Sequence, residues 1–155
     1  MKKYELTEET FTVFGKTLYR IRAVRDFGSV KTGEFGGYIE KEENLSHFGD
    51  AWVYGNAKVY GEARVSGNAW VYGNAEVFNT RHFFVQGPIG SRDGYVTFYR
   101  TKDDTVEVRC GCFSGSLQEF VNQVEETHGG SRYEKEYKLA AELAKVCIRL
   151  EGESR

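Results

Sequence analysis

The chain has 155 residues with 21 Lys+Arg against 23 Asp+Glu, 18 Gly, one Pro and 3 Cys, enough length to bury a core without disulfides. Its formal net charge of −2 comes from three balanced regions, so the electrostatic footprint of a nucleic-acid binder is missing. No apolar run reaches the roughly 20 residues of a spanning helix and Met1-Lys2-Lys3-Tyr4-Glu5 does not lead into a signal-peptide core, which predicts a soluble, cytoplasmic protein.

Residues 1–36 are expected to form a β-hairpin cap. Phe11-Thr12-Val13-Phe14 and Thr17-Leu18-Tyr19-Arg20-Ile21-Arg22-Ala23-Val24 alternate on either side of Gly15-Lys16, the pattern of two antiparallel strands and a tight turn. Arg20, Arg22 and Arg25 give this hairpin a basic edge, read as a solvated strand face rather than a phosphate contact.

Residues 37–84 carry a repeat. From Gly49 the chain runs Gly-Asp-Ala-Trp-Val-Tyr, Gly-Asn-Ala-Lys-Val-Tyr, Gly-Glu-Ala-Arg-Val-Ser, Gly-Asn-Ala-Trp-Val-Tyr, Gly-Asn-Ala-Glu-Val-Phe, five hexads without an insertion. Ala and Val stand two apart, so in extended chain they share one side, while Gly followed by a small polar residue supplies a bend. Degenerate hexads extend the phase over 37–48, with Ile39 and Leu45 in the Ala column and His47 in the Val column, and over 79–84.

This segment resembles the hexapeptide-repeat, left-handed parallel β-helix family. The resemblance implies a short left-handed coil of about 2–3 turns, capped by the N-terminal hairpin and followed by a C-terminal ββαα unit, a mainly β fold with α. Three hexads, 18 residues, make one turn in that family. Outward residues 18 apart are then stacked: Trp52 over Trp70, Tyr54 over Tyr72, Lys58 over Glu76, Tyr60 over Phe78 and Arg64 over His82.

Both Trp residues thus fall on one expected face, and Trp52, Tyr54, Trp70 and Tyr72 are the predicted protein-binding or oligomer surface, since Trp and Tyr are enriched where partners bind. Tyr60, Phe78, Arg64 and His82 form a secondary surface. Three covers for the aromatic face stand open: a second copy of the chain, with a homodimer favoured, the C-terminal unit, or a foreign protein.

Residues 85–155 are expected to form the ββαα unit. Gly87-Pro88-Ile89-Gly90-Ser91 reads as a linker. Tyr95–Tyr99 and Thr105–Cys110 flank Lys102-Asp103-Asp104 as a second hairpin, and Ser116-Leu117-Gln118-Glu119 is a capping box followed by Leu117, Phe120, Val121 and Val124 at helical spacing. Ser131-Arg132-Tyr133-Glu134 starts a second helix in the same way, with the apolar stripe Tyr133, Tyr137, Ala140, Ala141, Ala144 and Ile148.

Chemistry-bearing residues are sparse. Cys110-Gly111-Cys112 places two thiols on one face of a predicted strand, but Cys147, His47, His82 and His128 are scattered, so neither a metal nor another cofactor is expected. Many hexapeptide-family proteins are acyltransferases, which need a histidine base. Only His82 falls in an outward repeat column, and no carboxylate at a recognisable spacing orients it or His47.

The expected function is therefore a non-catalytic protein-interaction module, with an acyltransferase or a self-assembling scaffold as alternatives. The chain also resembles small phage and prophage proteins in which a segment like Asp26-Phe27-Gly28 and Gly36-Gly37-Tyr38-Ile39-Glu40 precedes Gly-Asn-Ala repeats. That resemblance implies a host protein target, and a role as an inhibitor of a host defence system such as a CRISPR effector.

Overall fold

The computed structural model describes residues 2–151 and falls into two units, Met1–Thr80 and Arg81–Arg155. In the first unit, β1 (Tyr4–Val13) and β2 (Lys16–Ala23) pair antiparallel with Val13 opposite Lys16. The turn is Phe14-Gly15, one residue earlier than the alternation suggests. Both residues have positive φ, 48° and 76°, the combination whose twist matches that of the flanking strands.

β3 (Phe35–Ile39) continues this sheet antiparallel to β2. Next to it, in parallel, lie β5 (Lys58–Val59) and then β7 (Glu76–Val77), so the sheet order is β1-β2-β3-β5-β7. A separate two-stranded parallel sheet joins β4 (Trp52–Val53) to β6 (Trp70–Val71). The period of 18 is present in the pairs Trp52 with Trp70 and Lys58 with Glu76.

The expected left-handed parallel β-helix is not what these pairings build. The parallel strands are two residues long, one set is the continuation of an antiparallel hairpin, and among the described residues no sheet closes or winds as a solenoid. The fold class is mixed α/β, with three sheets and two α-helices. Each hexad turns at its glycine, Gly49, Gly55, Gly61, Gly67 and Gly73 all having φ between 61° and 71°, and β3, itself antiparallel to β2, draws β5 and β7 into the hairpin's sheet. The Ala63–Val65 hexad contributes only an isolated bridge, Leu45 with Val65.

That bridge also corrects the phase of 37–48. Tyr38 pairs with Lys58, Ile39 with Val59 and Leu45 with Val65, an offset of 20 residues. Ile39 and Leu45 therefore stand in the Val column, and His47 does not point into the core. Inside, the alternation holds: Ala51, Ala57, Ala63, Ala69 and Ala75, and Val53, Val59, Val65, Val71 and Val77, are all buried. β3 comes so close to this core that only glycine fits twice in succession. A Cβ on Gly36 would lie 2.5 Å from the Val53 carbonyl oxygen, and one on Gly37 2.5 Å from that of Ala57.

The second unit is ββββαα rather than ββαα. β8 (Phe83–Ile89), β9 (Gly94–Arg100), β10 (Val106–Cys110) and β11 (Phe113–Ser116) form an antiparallel sheet in the order β11-β10-β9-β8. Gly87-Pro88 is inside β8 and is not a linker. Because β8 is an edge strand, Pro88 can lack an N–H there without breaking a central ladder.

α1 (Leu117–His128) begins at the predicted capping box, where Ser116 Oγ accepts from Glu119 N at 3.1 Å and the Glu119 carboxylate accepts from Ser116 N at 2.8 Å. α2 (Arg132–Cys147) differs at its start. Ser131 Oγ donates back to the His128 carbonyl at 2.7 Å, so it does not cap, and Glu134 accepts instead from Gly130 N at 2.9 Å. Ala140, Ala141, Ala144 and Ile148 pack with Val96, Phe98, Val108, Phe120 and Val124 in one core.

Candidate functional site

The predicted aromatic face is only partly a face. Tyr54 stacks on Tyr72 at 5.0 Å between ring centroids and on Trp70 at 6.1 Å, and these three side chains are half-buried. Trp70 Nε1 donates to the Asp50 carbonyl at 3.2 Å. Trp52 is in register with Trp70, yet it is completely buried. Phe27 meets its ring edge-on at 5.1 Å, Tyr4 does so at 6.4 Å, and Gly36 lies against it. Segments distant in sequence cover this position, so Trp52 leaves the predicted contact surface.

The secondary surface is corrected in the same way. Tyr60 is buried in a cluster with Leu18 and Tyr38, stacks on Phe78 at 5.2 Å and donates its hydroxyl to Glu76 Oε1 at 3.1 Å. His82 is buried at the end of a short 3₁₀ turn in the second unit, while Arg64 is an exposed side chain of the first.

One polar cluster in the first unit has no counterpart in the sequence reading. Lys3 is fully buried, and its ammonium donates to the Ala51 carbonyl at 2.7 Å and lies 4.7 Å from the Phe27 ring centroid. Burial, and secondarily Arg25, lowers its pKa to about 8, against an opposing pull from Asp50. Tyr4 donates its hydroxyl to the Leu45 carbonyl at 2.6 Å, and burial, reinforced by Glu42, pushes its pKa up.

The Tyr4 ring stacks on His47 at 4.1 Å. His47 Nδ1 accepts from the Lys3 backbone N–H at 3.0 Å, which assigns the proton to Nε2, and Nε2–H donates to Glu42 Oε1 at 2.8 Å. The Glu42 carboxyl is held below the usual carboxylate range by His47 first and Lys2 next. This is an imidazole–carboxylate pair, the arrangement the spacing did not disclose. Both ring nitrogens are engaged, however, and a general base needs one lone pair free. The pair clamps the chain end to the 42–47 loop.

Of the basic edge, Arg20 and Arg22 are neutralised from within, whereas Arg25 donates to the His47 carbonyl at 3.2 Å. Arg20 donates to Glu9 at 2.9 Å, to the Gly36 carbonyl at 2.7 Å and to the Tyr38 hydroxyl at 2.9 Å, and Arg22 pairs with Glu5. Cys110 and Cys112 do not share a strand face. Gly111, at φ 57°, turns the chain between β10 and β11, Cys112 is exposed, and burial raises the Cys110 thiol pKa. Among the described residues no group of three His, Cys, Asp or Glu side chains could hold a metal ion, and no helix is long and apolar enough to cross a membrane.

The second unit carries an apolar surface that the sequence reading missed. α2 buries its Ala-rich stripe, but Leu139, Leu143 and Val146, at 69%, 46% and 70% exposure, form a second stripe on its outward side. The spacing i, i+4, i+7 was the available signal. Beside it opens a cleft of about 520 Å³ between the first turns of α2 and the β8–β9 turn, lined among others by Pro88, Ile89, Ser91, Arg132, Tyr133 and Leu143. Its walls are pinned together where Glu136 accepts from Gly90 N at 2.8 Å. Gly90 sits so close to α2 that a Cβ there would collide with the Tyr137 hydroxyl.

No protein-family model matches the chain, and no curated protein matches it. The likeness to hexapeptide-repeat proteins therefore rests on the repeat residues themselves.

Proposed function

We propose that this protein is a non-catalytic protein-binding module whose main contact surface is the outward side of α2 together with its adjoining cleft. The observation that carries this reading is the stripe Leu139, Leu143 and Val146, exposed on α2 beside a cleft whose lining mixes Pro88, Ile89 and Leu143 with Asp93, Arg132 and Glu136. Exposed apolar groups gathered on one element mark interaction sites more often than scattered ones do. The engagement of His47 and Glu42 in anchoring the backbone supports binding over proton-transfer chemistry.

The stacked row Tyr54, Trp70 and Tyr72 supports a second contact, and the likeness to phage-type proteins supports a host defence protein as its target. Carbene footprinting tests both surfaces. Purified protein at high dilution is compared with the same protein in bacterial lysate. Labelling of Leu139, Leu143 and Val146 is expected to fall in lysate, and that of Tyr54 with it if the second contact is used. Equal labelling of the α2 stripe in the two conditions would remove this reading.

A further inference from the structure

We propose that the α2 surface takes a second copy of this chain, with the two α2 helices antiparallel about a two-fold axis passing near Leu139. The inference rests on the reading of that surface as a protein contact and names its occupant. The surface is self-complementary in shape. Val146 stands exposed at the C-terminal end of the helix beyond the cleft, which runs from Arg132, Tyr133 and Ser91 beside the first turn to Leu139 and Leu143. Antiparallel pairing lays each C-terminal half on the N-terminal half of the other copy. Val146 of each copy then meets the Arg132 end of the other copy's cleft, a contact made twice, as an isologous interface requires.

Charge suits this antiparallel arrangement. Lys135 and Glu142 are seven residues apart, two helical turns, so they lie on the same flank of the stripe. A two-fold axis perpendicular to the helices keeps flanks together. With the axis near Leu139, Lys135 faces Glu142 of the second copy, and Glu142 faces its Lys135. Lys135 is exposed and has no ionic partner among the described residues, and Glu142 has only the exposed pair with Lys145 at 3.1 Å.

The size of the surface sets the strength. Sixteen residues of helix span about 24 Å, and a strip of that length falls below the roughly 800 Å² per partner of a standard interface unless the cleft walls join it. The pairing is therefore a weak, reversible dimer rather than an obligate one.

Sedimentation equilibrium of the full chain from micromolar to submillimolar concentration tests this. A reversible monomer–dimer transition is expected. Lys135→Glu and Glu142→Lys, each of which creates two like-charge contacts, should weaken it by about tenfold apiece, and the double variant should restore it. Leu139→Arg should abolish the dimer with an unchanged melting curve, since the side chain is exposed. A protein monomeric throughout, or a double variant no stronger than the singles, overturns the self-pairing. If the stripe is nonetheless protected in lysate, the contact-surface reading survives that failure; if it is not, both fall.

Discussion

Trp52 and Trp70 stand in the same repeat column and in register across one parallel pair, yet their removal should have unequal consequences. Trp52 is buried completely, enclosed by Phe27, Tyr4 and Gly36. Its indole N–H has no hydrogen-bond partner, so what Trp52→Ala removes is packing, and a cavity of that kind costs about 3–5 kcal/mol. Trp70 is half-buried. Losing roughly half of about 200 Å² of buried side chain at about 25 cal/mol per Å² amounts to about 2–3 kcal/mol, and much of that burial can be recovered by Tyr54 and Tyr72 collapsing together.

Against the 5–15 kcal/mol total typical of such a domain, Trp52→Ala should bring the first unit close to unfolding at room temperature. Urea denaturation followed by far-UV circular dichroism measures the difference. The two tryptophans also report separately. Trp70→Phe leaves only Trp52, whose emission should be blue-shifted and shielded from acrylamide, whereas Trp52→Phe leaves an emitter that acrylamide reaches. Equal stability losses together with equal quenching would refute the burial of Trp52 and return it to an outward face.

Two further outcomes follow from the first unit. Lys3 has a folded pKa of about 8, below its ordinary value of 10.5, so between those values the unfolded chain binds more protons and stability should rise as pH increases from 8. Tyr4 acts in the opposite sense only above about pH 10, where the unfolded phenol ionises first; urea midpoints at pH 7.5 and 9.5 should therefore increase in the native chain and stay level in Lys3→Met. Gly36→Ala should fail to give soluble protein, because its Cβ would meet backbone at 2.5 Å, while Gly94→Ala, with open space around it, should melt within a degree or two of the native chain.

The elements that local pattern governs were legible in advance. The first hairpin, to within one residue of its turn, the hairpin on either side of Lys102-Asp103-Asp104, the capping box at Ser116 and Glu119 and the inward Ala and Val columns follow from spacing, and the 18-residue register of Trp52 with Trp70 from the repeat taken with the family resemblance. Each depends on residues that are neighbours in sequence, or on a repeat that copies one local geometry. Periodicity reports which side of a strand a residue occupies. It does not report what lies opposite that side.

Tertiary structure alone decided the rest. The second repeat strand, β5, pairs with β3 at an offset of 20 rather than 18, and so continues an antiparallel sheet instead of opening a coil. Trp52 is covered by Tyr4 and Phe27, and His47 is oriented by Lys3 and Glu42. The Lys3 ammonium reaches a carbonyl 48 positions away. The outward stripe of α2 differs from its inward one only in what packs against it, since Leu139 and Ala140 are adjacent in sequence and one is exposed while the other is buried. Burial is a property of pairs of surfaces, and a chain position specifies only one member of each pair.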